Sequence, residues 1–362
     1  MNLIRHCIVI YKNLCVFVSL WFNISMLLSG DIGGTKTILA LISPQAGPCD
    51  PLVEIRFPSA AYPNLETIIQ EFLEQLDPPI APASLTATFG VAGPVIQGKS
   101  AITNLPWVLD EFKLSQAIGI PAVTLLNDMA ATAYAVPFLE PHELHRLRAG
   151  EPDPSGAIAV IAPGTGLGEG FLTRQGQTYQ AHPSEGGHSS FAPQNLLELE
   201  LLRYLIERFD HVSTERVCSG QGIPNIYAFL KDKGYAEEPP WLAEKLAAAD
   251  DTTPVICKAA LDQSRPCPLC AATLETFVSI LGAEAGNLAA KVAATGGIYL
   301  GGGIPPHILP ALENKRFLQA LQQKGRLSDM LARIPVYVIL NPKAALLGVA
   351  CHGLGLTPSS LF

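Results

Sequence analysis

Short apolar runs alternate with segments of helical periodicity along most of the chain. Runs rich in aliphatic and β-branched residues predict strands, and apolar residues three and four apart predict amphipathic helices. In the first part of the chain the predicted strands are 27–32, 37–43, 52–57, 85–91 and 122–126. One amphipathic helix is predicted at 64–76, where apolar side chains recur at Ile68, Ile69, Phe72, Leu73 and Leu76. This alternation indicates an α/β fold.

A segment rich in proline and charge, 137–156, separates this block from a second one. Its start is the predicted domain boundary. After it, the same patterns predict strands at 157–163, 297–304 and 334–340 and helices at 195–209, 271–295 and 343–354. The second block is therefore also predicted to be α/β.

The composition indicates a globular protein that acts on a small molecule. Of the 362 residues, 48% are hydrophobic and 15% are charged, so the chain can bury a large core. The net charge of −8 and the lack of a long Lys/Arg run argue against a nucleic-acid surface, which needs a basic stripe. A small-molecule partner is therefore expected.

The eight cysteines are too sparse for a disulfide scaffold and indicate reduced, intracellular thiols. One close pair, Cys267 and Cys270, has the spacing of half a zinc site. A tetrahedral zinc site needs further Cys or His ligands at similar spacing, and none follows. The pair is therefore predicted to be structural.

Three glycine-rich loops follow predicted strands, and the first is GDIGGTKT, Gly30 to Thr37. Glycine permits positive φ and close approach of a ligand, so successive N–H groups in such a loop can cradle an anion. The loop misses the Walker pattern, because Thr35 stands where a glycine is required and a strand follows in place of a helix. Taken alone, it fits a simple β-turn as well as a phosphate cradle.

The second loop, APGTGLGEG, runs from Ala162 to Gly170 and again links strand-like runs. It fails as a dinucleotide fingerprint, because Gly164 and Gly166 would require a glycine where Glu169 stands. In the third loop, GIYLGGGIPP, a strand ends in three glycines and a helix follows. Each loop by itself fits a plain turn.

Together, three such loops in this order resemble the superfamily of sugar kinases, heat-shock chaperones and actin. Within it, the chain from about Met26 to its C-terminus resembles the bacterial-type glucokinase family. The segments that carry the resemblance are GDIGGT, TNLPW (103–107), LLNDMAATAYA (125–135), GTGLG, EGGH (185–188), ERVCSGQG (215–222) and GGGI.

The resemblance implies an α/β, two-domain actin-like ATPase (ribonuclease H-like) fold with an interdomain cleft. A small domain would comprise residues 26–137 plus about 343–362, and a large domain residues 138–342. The implied reaction is ATP-dependent phosphorylation of D-glucose at the 6-hydroxyl, with Mg²⁺ as cofactor. The implied ATP-binding residues are Gly30, Asp31, Ile32, Gly33, Gly34, Thr35, Gly164, Thr165, Gly166 and Gly302.

Asp128 follows a predicted strand where a helix begins, a position that an N-cap aspartate commonly occupies. A helix N-terminus also favours a carboxylate, and phosphoryl transfer to an alcohol needs a carboxylate that accepts the hydroxyl proton. The resemblance makes Asp128 that general base and a sugar ligand. It assigns other sugar hydroxyls to Asn127, Glu185, His188 and Glu215.

Asp31 is expected to organise Mg²⁺ through water, because hard cations prefer oxygen ligands and keep their hydration. Thr35 and Thr165 are expected to donate hydrogen bonds to phosphate oxygens. Lys36 either adds positive charge or lies on the exposed face of the hairpin. Direct in-line transfer needs no covalent phosphoenzyme, because positioning, Mg²⁺ and a base are sufficient.

The first 25 residues differ in character from the rest of the chain. Arg5 and Lys12 precede an uncharged run that continues to Gly30, which is typical of a signal peptide or short anchor. Polar residues interrupt this run, and its last residues are required by the first predicted strand. Family members begin shortly before that strand, so Met26 is the predicted start and residues 1–25 a doubtful N-terminal extension.

Two other functions fit the same motifs. A related kinase would phosphorylate another hexose, and a non-catalytic sugar sensor would keep the fold without turnover. The apolar N-terminus motivates a membrane-attached sensor, whereas the intact set of Asp31, Asp128, Glu185 and His188 weighs against it. By analogy, the resemblance also implies a cytoplasmic homodimer that binds neither nucleic acid nor membrane.

Overall fold

The computed structural model describes residues 25–176 and 178–357. The predicted N-terminal extension lies outside the described residues except for Ser25, and the start at Met26 stays a prediction. The chain divides into two compact units. The first comprises the residues up to Leu126 together with Val349–Leu356, and the second comprises Asn127–Gly348 with the residues from Thr357.

The first unit is built around a five-stranded sheet in the order β3-β2-β1-β4-β7. Strand β1 is antiparallel to β2 and parallel to β4, and β5 pairs separately with β6. The strands are β1 (Met26–Ile32), β2 (Lys36–Ile42), β3 (Val53–Pro58), β4 (Leu85–Val91), β5 (Lys99–Ala101), β6 (Val108–Asp110) and β7 (Ala122–Asn127). The complete helices are α1 (Leu65–Glu74) and α2 (Glu111–Ile118).

Helix α1 confirms the predicted amphipathic helix. The Oδ1 of Asn64 accepts a hydrogen bond from the Thr67 N–H (3.0 Å) and so caps its N-terminus. The apolar positions then face the sheet, and Ile68, Ile69 and Phe72 are fully buried. The helical period of the apolar residues and the Asn64 cap therefore both specify helix α1.

The second unit contains a six-stranded sheet in the order β11-β10-β9-β12-β13-β8. Strand β9 is antiparallel to β10 and parallel to β12, which repeats the arrangement of β1, β2 and β4. The strands are β8 (Leu144–Arg148), β9 (Ile158–Pro163), β10 (Leu167–Gln175), β11 (Thr178–Ser184), β12 (Gly297–Leu300) and β13 (Val336–Ile339). The helices are α3 (Asp128–Ala135), α4 (Leu196–Ile206), α5 (Gly222–Asp232), α6 (Pro240–Ala247), α7 (Thr253–Leu261), α8 (Pro268–Val292), α9 (Leu309–Leu312), α10 (Lys315–Gln322), α11 (Ser328–Arg333) and α12 (Ala344–Gly353), the last of which continues into the first unit.

Helix α8 is the central helix of the second unit. A Cβ on Gly282 or Gly286 would collide with backbone carbonyls of Phe317 or Leu321, so both glycines let α10 approach closely. Within the described part of the chain, α8 is the one helix long and apolar enough to cross a membrane. However, 83% of its most apolar stretch is buried in the protein, as expected of a core helix.

The segment 137–156, whose start is the predicted domain boundary, contains a strand that the sequence patterns did not predict. Strand β8 is antiparallel to β13 at the edge of the second sheet. The Arg148 guanidinium donates hydrogen bonds to the carbonyls of Ile334 (2.9 Å) and Leu331 (2.6 Å). These contacts tie the segment to the second unit.

The compact units differ from the predicted domains in the position of α3. The first unit ends at Leu126, and α3 belongs to the second unit instead of preceding a boundary at residue 137. The reason is packing: α3 lies against β10 and β11, and a Cβ on Gly348 would collide with the Ala131 carbonyl. The predicted bounds of the functional domains stay a prediction.

Candidate functional site

The first glycine loop is the turn between β1 and β2. The Gly33 N–H donates to the Lys36 carbonyl (2.9 Å), and the Ser59 hydroxyl donates to the Gly33 carbonyl (2.7 Å). A Cβ on Gly34 would lie 2.8 Å from the Thr103 carbonyl oxygen. Neither glycine has a positive φ. Close packing is therefore what requires glycine at position 34.

Asp31 lies near the end of β1, beside this loop, and is half-buried. Burial raises the pKa of its carboxyl, and the positive charge of Lys36 opposes that shift. A bound cation would oppose the shift in the same way, and carboxylate oxygen is a donor that Mg²⁺ prefers. The charge and donor type of Asp31 therefore fit the expected role. The first loop and Asp31 belong to the first unit, whereas the other predicted ligands belong to the second.

Helix α3 begins directly after β7, and Asn127 is its N-cap. The Asn127 Oδ1 accepts hydrogen bonds from the N–H groups of Met129 (2.8 Å) and Ala130 (3.1 Å). Asp128 is the first helical residue, and its Oδ1 accepts from the Met129 N–H (2.8 Å). The capping role considered for Asp128 thus falls to Asn127. Asp128 lies in the first turn, where the helix dipole favours a negative charge.

The second glycine loop joins β9 to β10, and Glu215 lies against it from a short 3₁₀ turn, Thr214–Arg216. The Gly164 N–H donates to the Gly166 carbonyl (2.8 Å) and closes the loop. Glu215 Oε2 accepts from the Leu167 N–H (2.9 Å), and a Cβ on Gly166 would collide with the same oxygen. Glu215 therefore fixes the loop besides placing a carboxylate beside it.

The glycine pair of the EGGH segment packs against the start of β10. A Cβ on Gly186 would collide with the Glu169 carboxylate, and a Cβ on Gly187 would collide with the Leu167 carbonyl. These close contacts explain why two consecutive glycines are needed, since neither has a positive φ.

Glu185 and His188 flank this glycine pair. His188 Nε2 lies 3.9 Å from Glu185 Oε2, and the two side chains are 64% and 61% exposed. The turn is joined to the one that carries Glu215, because the Thr214 N–H donates to the Ser189 carbonyl (2.8 Å). Two exposed polar side chains that reach the same point have the arrangement that a shared sugar ligand requires.

The start of β10 thus contacts every segment of the second unit that carries a predicted sugar ligand. Glu215 binds the Leu167 N–H, and the Gly186–Gly187 pair packs on β10. A Cβ on Gly168 would lie 2.7 Å from Cγ of Met129, the residue after the predicted base. The structure therefore brings together around one strand end the segments that carry Asn127, Asp128, Glu185, His188 and Glu215.

The third glycine loop follows β12 and rests on the end of β9. The Gly301 N–H donates to the Ile161 carbonyl (2.8 Å). Gly302 has a φ of 81°, and a Cβ there would collide with the Pro163 carbonyl. Gly303 has no positive φ, and nothing lies within 4 Å of the position of a Cβ there. Gly302 is therefore the residue of this loop that must be glycine.

Gly220 supports the second loop, a role that the sequence did not reveal. Its N–H donates to the Gly164 carbonyl (2.7 Å), and its own carbonyl accepts from the Thr253 hydroxyl (2.6 Å). The loop is thereby tied to α7. The glycines of the ERVCSGQG segment predict a turn there. They do not predict that this turn contacts the second glycine loop.

The cysteine pair Cys267 and Cys270 lies in the core of the second unit, at the start of α8. Burial and the neighbouring Cys267 raise the pKa of the Cys270 thiol. Throughout residues 25–176 and 178–357, no three His, Cys, Asp or Glu side chains are grouped so that they could hold a metal ion. Both thiols therefore pack as small apolar side chains.

The chain matches the protein-family model Glucokinase over residues 28–354. It is 43% identical to the glucokinase of Nostoc punctiforme over 339 residues, which cover 90% of this chain and 98% of that protein. A crystal structure of glucokinase from an Antarctic psychrotroph is 33% identical, with a TM-score of 0.74, and covers 90% of this chain and 98% of its own.

A more distant structure is the ROK family glucokinase from Streptomyces griseus in complex with glucose and AMPPNP. It is 21% identical, with a TM-score of 0.57, and covers 90% of this chain and 98% of its own. At this identity the likeness concerns the fold alone. Together with the repeated strand order of the two sheets, these matches confirm the predicted α/β, actin-like ATPase fold.

Proposed function

The chain belongs to the glucokinase family and is a kinase, and on that premise we propose that it transfers the γ-phosphoryl group of ATP to the 6-hydroxyl of D-glucose. The products are glucose 6-phosphate and ADP. The observation that supports this proposal is that the start of helix α3, Glu215 and the Glu185–His188 turn all contact the start of β10, directly after the second glycine loop.

The sugar is recognised by hydrogen bonds to its hydroxyls. Asn127, Glu185, His188 and Glu215 provide acceptors and donors for a neutral ligand that is rich in both. An analogue that lacks one hydroxyl leaves one of these groups unpaired, at about 1–3 kcal/mol. Specificity for glucose therefore resides in these four side chains.

Asp128 is the general base. Its carboxylate accepts the proton of the 6-hydroxyl while that oxygen attacks the γ-phosphorus and the bond to the β-phosphate oxygen breaks. The hydrogen bond from the Met129 N–H to Asp128 Oδ1 fixes the carboxylate at the first turn of α3. Transfer is direct and in line, so no residue becomes phosphorylated.

The glycine loops bind ATP. Backbone N–H groups and the hydroxyls of Thr35 and Thr165 donate to phosphate oxygens, and Gly302 lies in the turn expected to contact the adenosine. Asp31 is the residue that would hold the hydration shell of Mg²⁺, which would neutralise phosphate charge when bound with ATP. We further propose that the protein is a cytoplasmic homodimer, on analogy with the family.

Substrate preference separates this function from that of a kinase for another hexose. We expect kcat/KM to be highest for glucose when glucose, mannose, fructose and N-acetylglucosamine are compared at saturating ATP and Mg²⁺. Each altered hydroxyl or substituent is expected to lower kcat/KM by roughly 5- to 150-fold, in line with one unpaired group. A higher kcat/KM for another hexose would reassign the substrate.

Gly166→Ala is expected to raise the KM for glucose, although Gly166 is predicted to contact ATP. The added methyl group displaces the Glu215 carboxylate from the Leu167 N–H. The displaced carboxylate would then lose its proposed hydrogen bond to glucose. Loss of a hydrogen bond to a charged group costs about 1.5–3 kcal/mol, or roughly 10- to 150-fold in affinity for glucose.

Gly164→Ala is the matched comparison for this effect. Nothing lies within 4 Å of the position of a Cβ on Gly164, so Glu215 stays in place. Its KM for glucose should remain near the wild-type value whatever happens to the KM for ATP. Equal glucose KM values for the two variants would contradict the proposed role of Glu215.

A further inference from the structure

Two carboxyl side chains are buried beneath the Gly186–His188 turn in the second unit. Glu169 on β10 is 1% exposed, and Glu284 on α8 is 5% exposed. Oε1 of each finds no partner in the described part of the chain apart from the other carboxyl, because a protonated Glu169 can hydrogen-bond Glu284. The proposed mechanism uses neither carboxyl. Buried carboxyls without full hydrogen bonding are costly, so they call for an explanation.

Glu169 is in direct contact with the turn that carries the predicted sugar ligands. Its Oε2 lies against Gly186, at the position that a Cβ would occupy. On the neighbouring strand, Ser184 Oγ accepts a hydrogen bond from the Gly186 N–H (3.0 Å). The Ser184 hydroxyl and the Glu169 carboxyl therefore both contact the turn at Gly186.

Charged and titratable groups face the pair from the surrounding elements. Glu284 Oε2 accepts from Asn287 Nδ2 (2.9 Å), and its Oε1 lies 3.6 Å from the Lys291 ammonium. Lys324, after α10, interacts with both Glu284 and Glu198 of α4. Cys218, beyond the turn of Glu215, is fully buried.

Glu169 is the member of this cluster that changes charge near neutral pH. Burial and the adjacent Glu284 carboxylate raise the pKa of Glu169 to about 7, and Lys291 opposes the shift. Burial and the same two carboxylates raise the pKa of the Cys218 thiol, so that thiol stays neutral. Burial lowers the pKa of Lys324, and Glu284 and Glu198 oppose this change.

We propose that Glu169 is a positioning residue for sugar binding: its neutral carboxyl packs under Gly186 and holds Glu185 and His188 in place, and its ionisation loosens their turn. An ionised Glu169 would place a second negative charge beside Glu284, and the opposing charge of Lys291 does not prevent the rise in the pKa of Glu169. Such a charge recruits water or moves away from its neighbour, and either change displaces the turn. The inference rests on the proposed function, because it takes Glu185 and His188 as glucose ligands.

The test is the pH dependence of the KM for glucose, measured with wild type and Glu169→Gln from pH 5.5 to 9. Above the pKa of about 7, the wild-type KM should rise with a slope approaching about tenfold per pH unit, because glucose binds best when Glu169 is protonated. Glutamine has the shape of the neutral acid and does not ionise, so this additional rise should be absent.

Two further variants fix the interpretation. Glu284→Gln removes the charge that raises the pKa of Glu169, so the rise in the KM for glucose should begin at lower pH. In Glu169→Gln, by contrast, the rise should be absent. Glu275→Gln alters an exposed carboxylate on the same helix, 3.3 Å from Arg316, and should reproduce the wild-type profile. If the KM for glucose depended on pH in the same way in wild type, Glu169→Gln and Glu284→Gln, the inference would be overturned.

Thermal stability provides a readout that does not depend on turnover. The folded protein keeps the Glu169 proton to about pH 7, whereas an unfolded chain loses it near 4.5. The folded wild type is therefore penalised progressively between these values and fully above pH 7. The Tm of Glu169→Gln should exceed that of wild type at pH 8, and this gap should shrink toward pH 4.5; a gap independent of pH would contradict the neutral-acid assignment.

The two proposals fail in distinguishable ways. If wild type phosphorylates glucose but its KM profile matches that of Glu169→Gln, only the positioning role is wrong. If wild type neither binds nor phosphorylates glucose, the proposed function is wrong and the inference fails with it.

Discussion

Asp128→Asn is expected to lower kcat by about 10²- to 10⁴-fold and to leave glucose binding within a fewfold of wild type. The amide cannot accept the proton of the 6-hydroxyl. Its oxygen can still accept the hydrogen bond from the Met129 N–H, so α3 should keep its structure. Turnover is measured from ADP release, and glucose binding from isothermal titration calorimetry.

Asp110→Asn is the control for this substitution. Asp110 caps α2, where its Oδ1 accepts from the N–H groups of Phe112 (3.1 Å) and Lys113 (3.2 Å). Asparagine caps a helix about as well as aspartate, so this variant should retain the kcat of wild type. Near-normal kcat in Asp128→Asn would refute the assignment of the base.

Gly302→Ala is expected to lower both stability and ATP affinity. Alanine at a φ of 81° is strained by about 1–2 kcal/mol, and its Cβ would collide with the Pro163 carbonyl. Because the Ile304 N–H also donates to that carbonyl (3.3 Å), relief of the collision moves the loop as a whole. We expect a lower Tm and a KM for ATP at least about tenfold above wild type, a change of roughly 1.4 kcal/mol in binding.

Gly303→Ala places the same methyl group one residue later. It has no positive φ to maintain and no neighbour within 4 Å of the new Cβ. Its Tm should stay within a degree or two of wild type, because surface substitutions without such constraints change stability by at most about 0.5 kcal/mol. Similar losses in Gly302→Ala and Gly303→Ala would mean that the loop is sensitive to any side chain, and the backbone argument would be wrong.

Local sequence patterns predicted most strands and about half of the helices, because hydrophobic period and caps act over short distances. Strand β8 was missed for a physical reason. Its sequence, Leu144 to Arg148, is rich in charge, and the sheet tolerates this because β8 is an edge strand. Its pairing with β13 involves residues almost two hundred positions away, which a local pattern cannot reveal.

The role of several glycines was predictable only in part. Glycine permits positive φ, but neither Gly33 nor Gly164 has a positive φ in the structure. Gly166, Gly186 and Gly187 are required by side chains or carbonyls of distant segments. Sequence identifies a glycine, whereas the atom that a Cβ would meet depends on tertiary packing.

Two acidic residues show the same limit. Asp128 was identified as the candidate base, but its cap role could not be separated from that of Asn127 until the hydrogen bonds to Met129 and Ala130 were known. Glu169 entered the sequence analysis only as the residue that breaks a dinucleotide motif. Its contact with Gly186 and its pairing with Glu284 on α8 depend on long-range packing.

The most direct test of the proposed reaction is to incubate the purified chain with ATP, Mg²⁺ and glucose and to identify the products. ADP release is followed by a coupled assay, and phosphorus and carbon NMR locate the new phosphate ester on the sugar. The account predicts one ADP for each glucose 6-phosphate, with the ester at the 6-hydroxyl and no other phosphorylated sugar. Binding of both glucose and ATP without formation of ADP would contradict it and would identify a sugar sensor with the fold of a kinase.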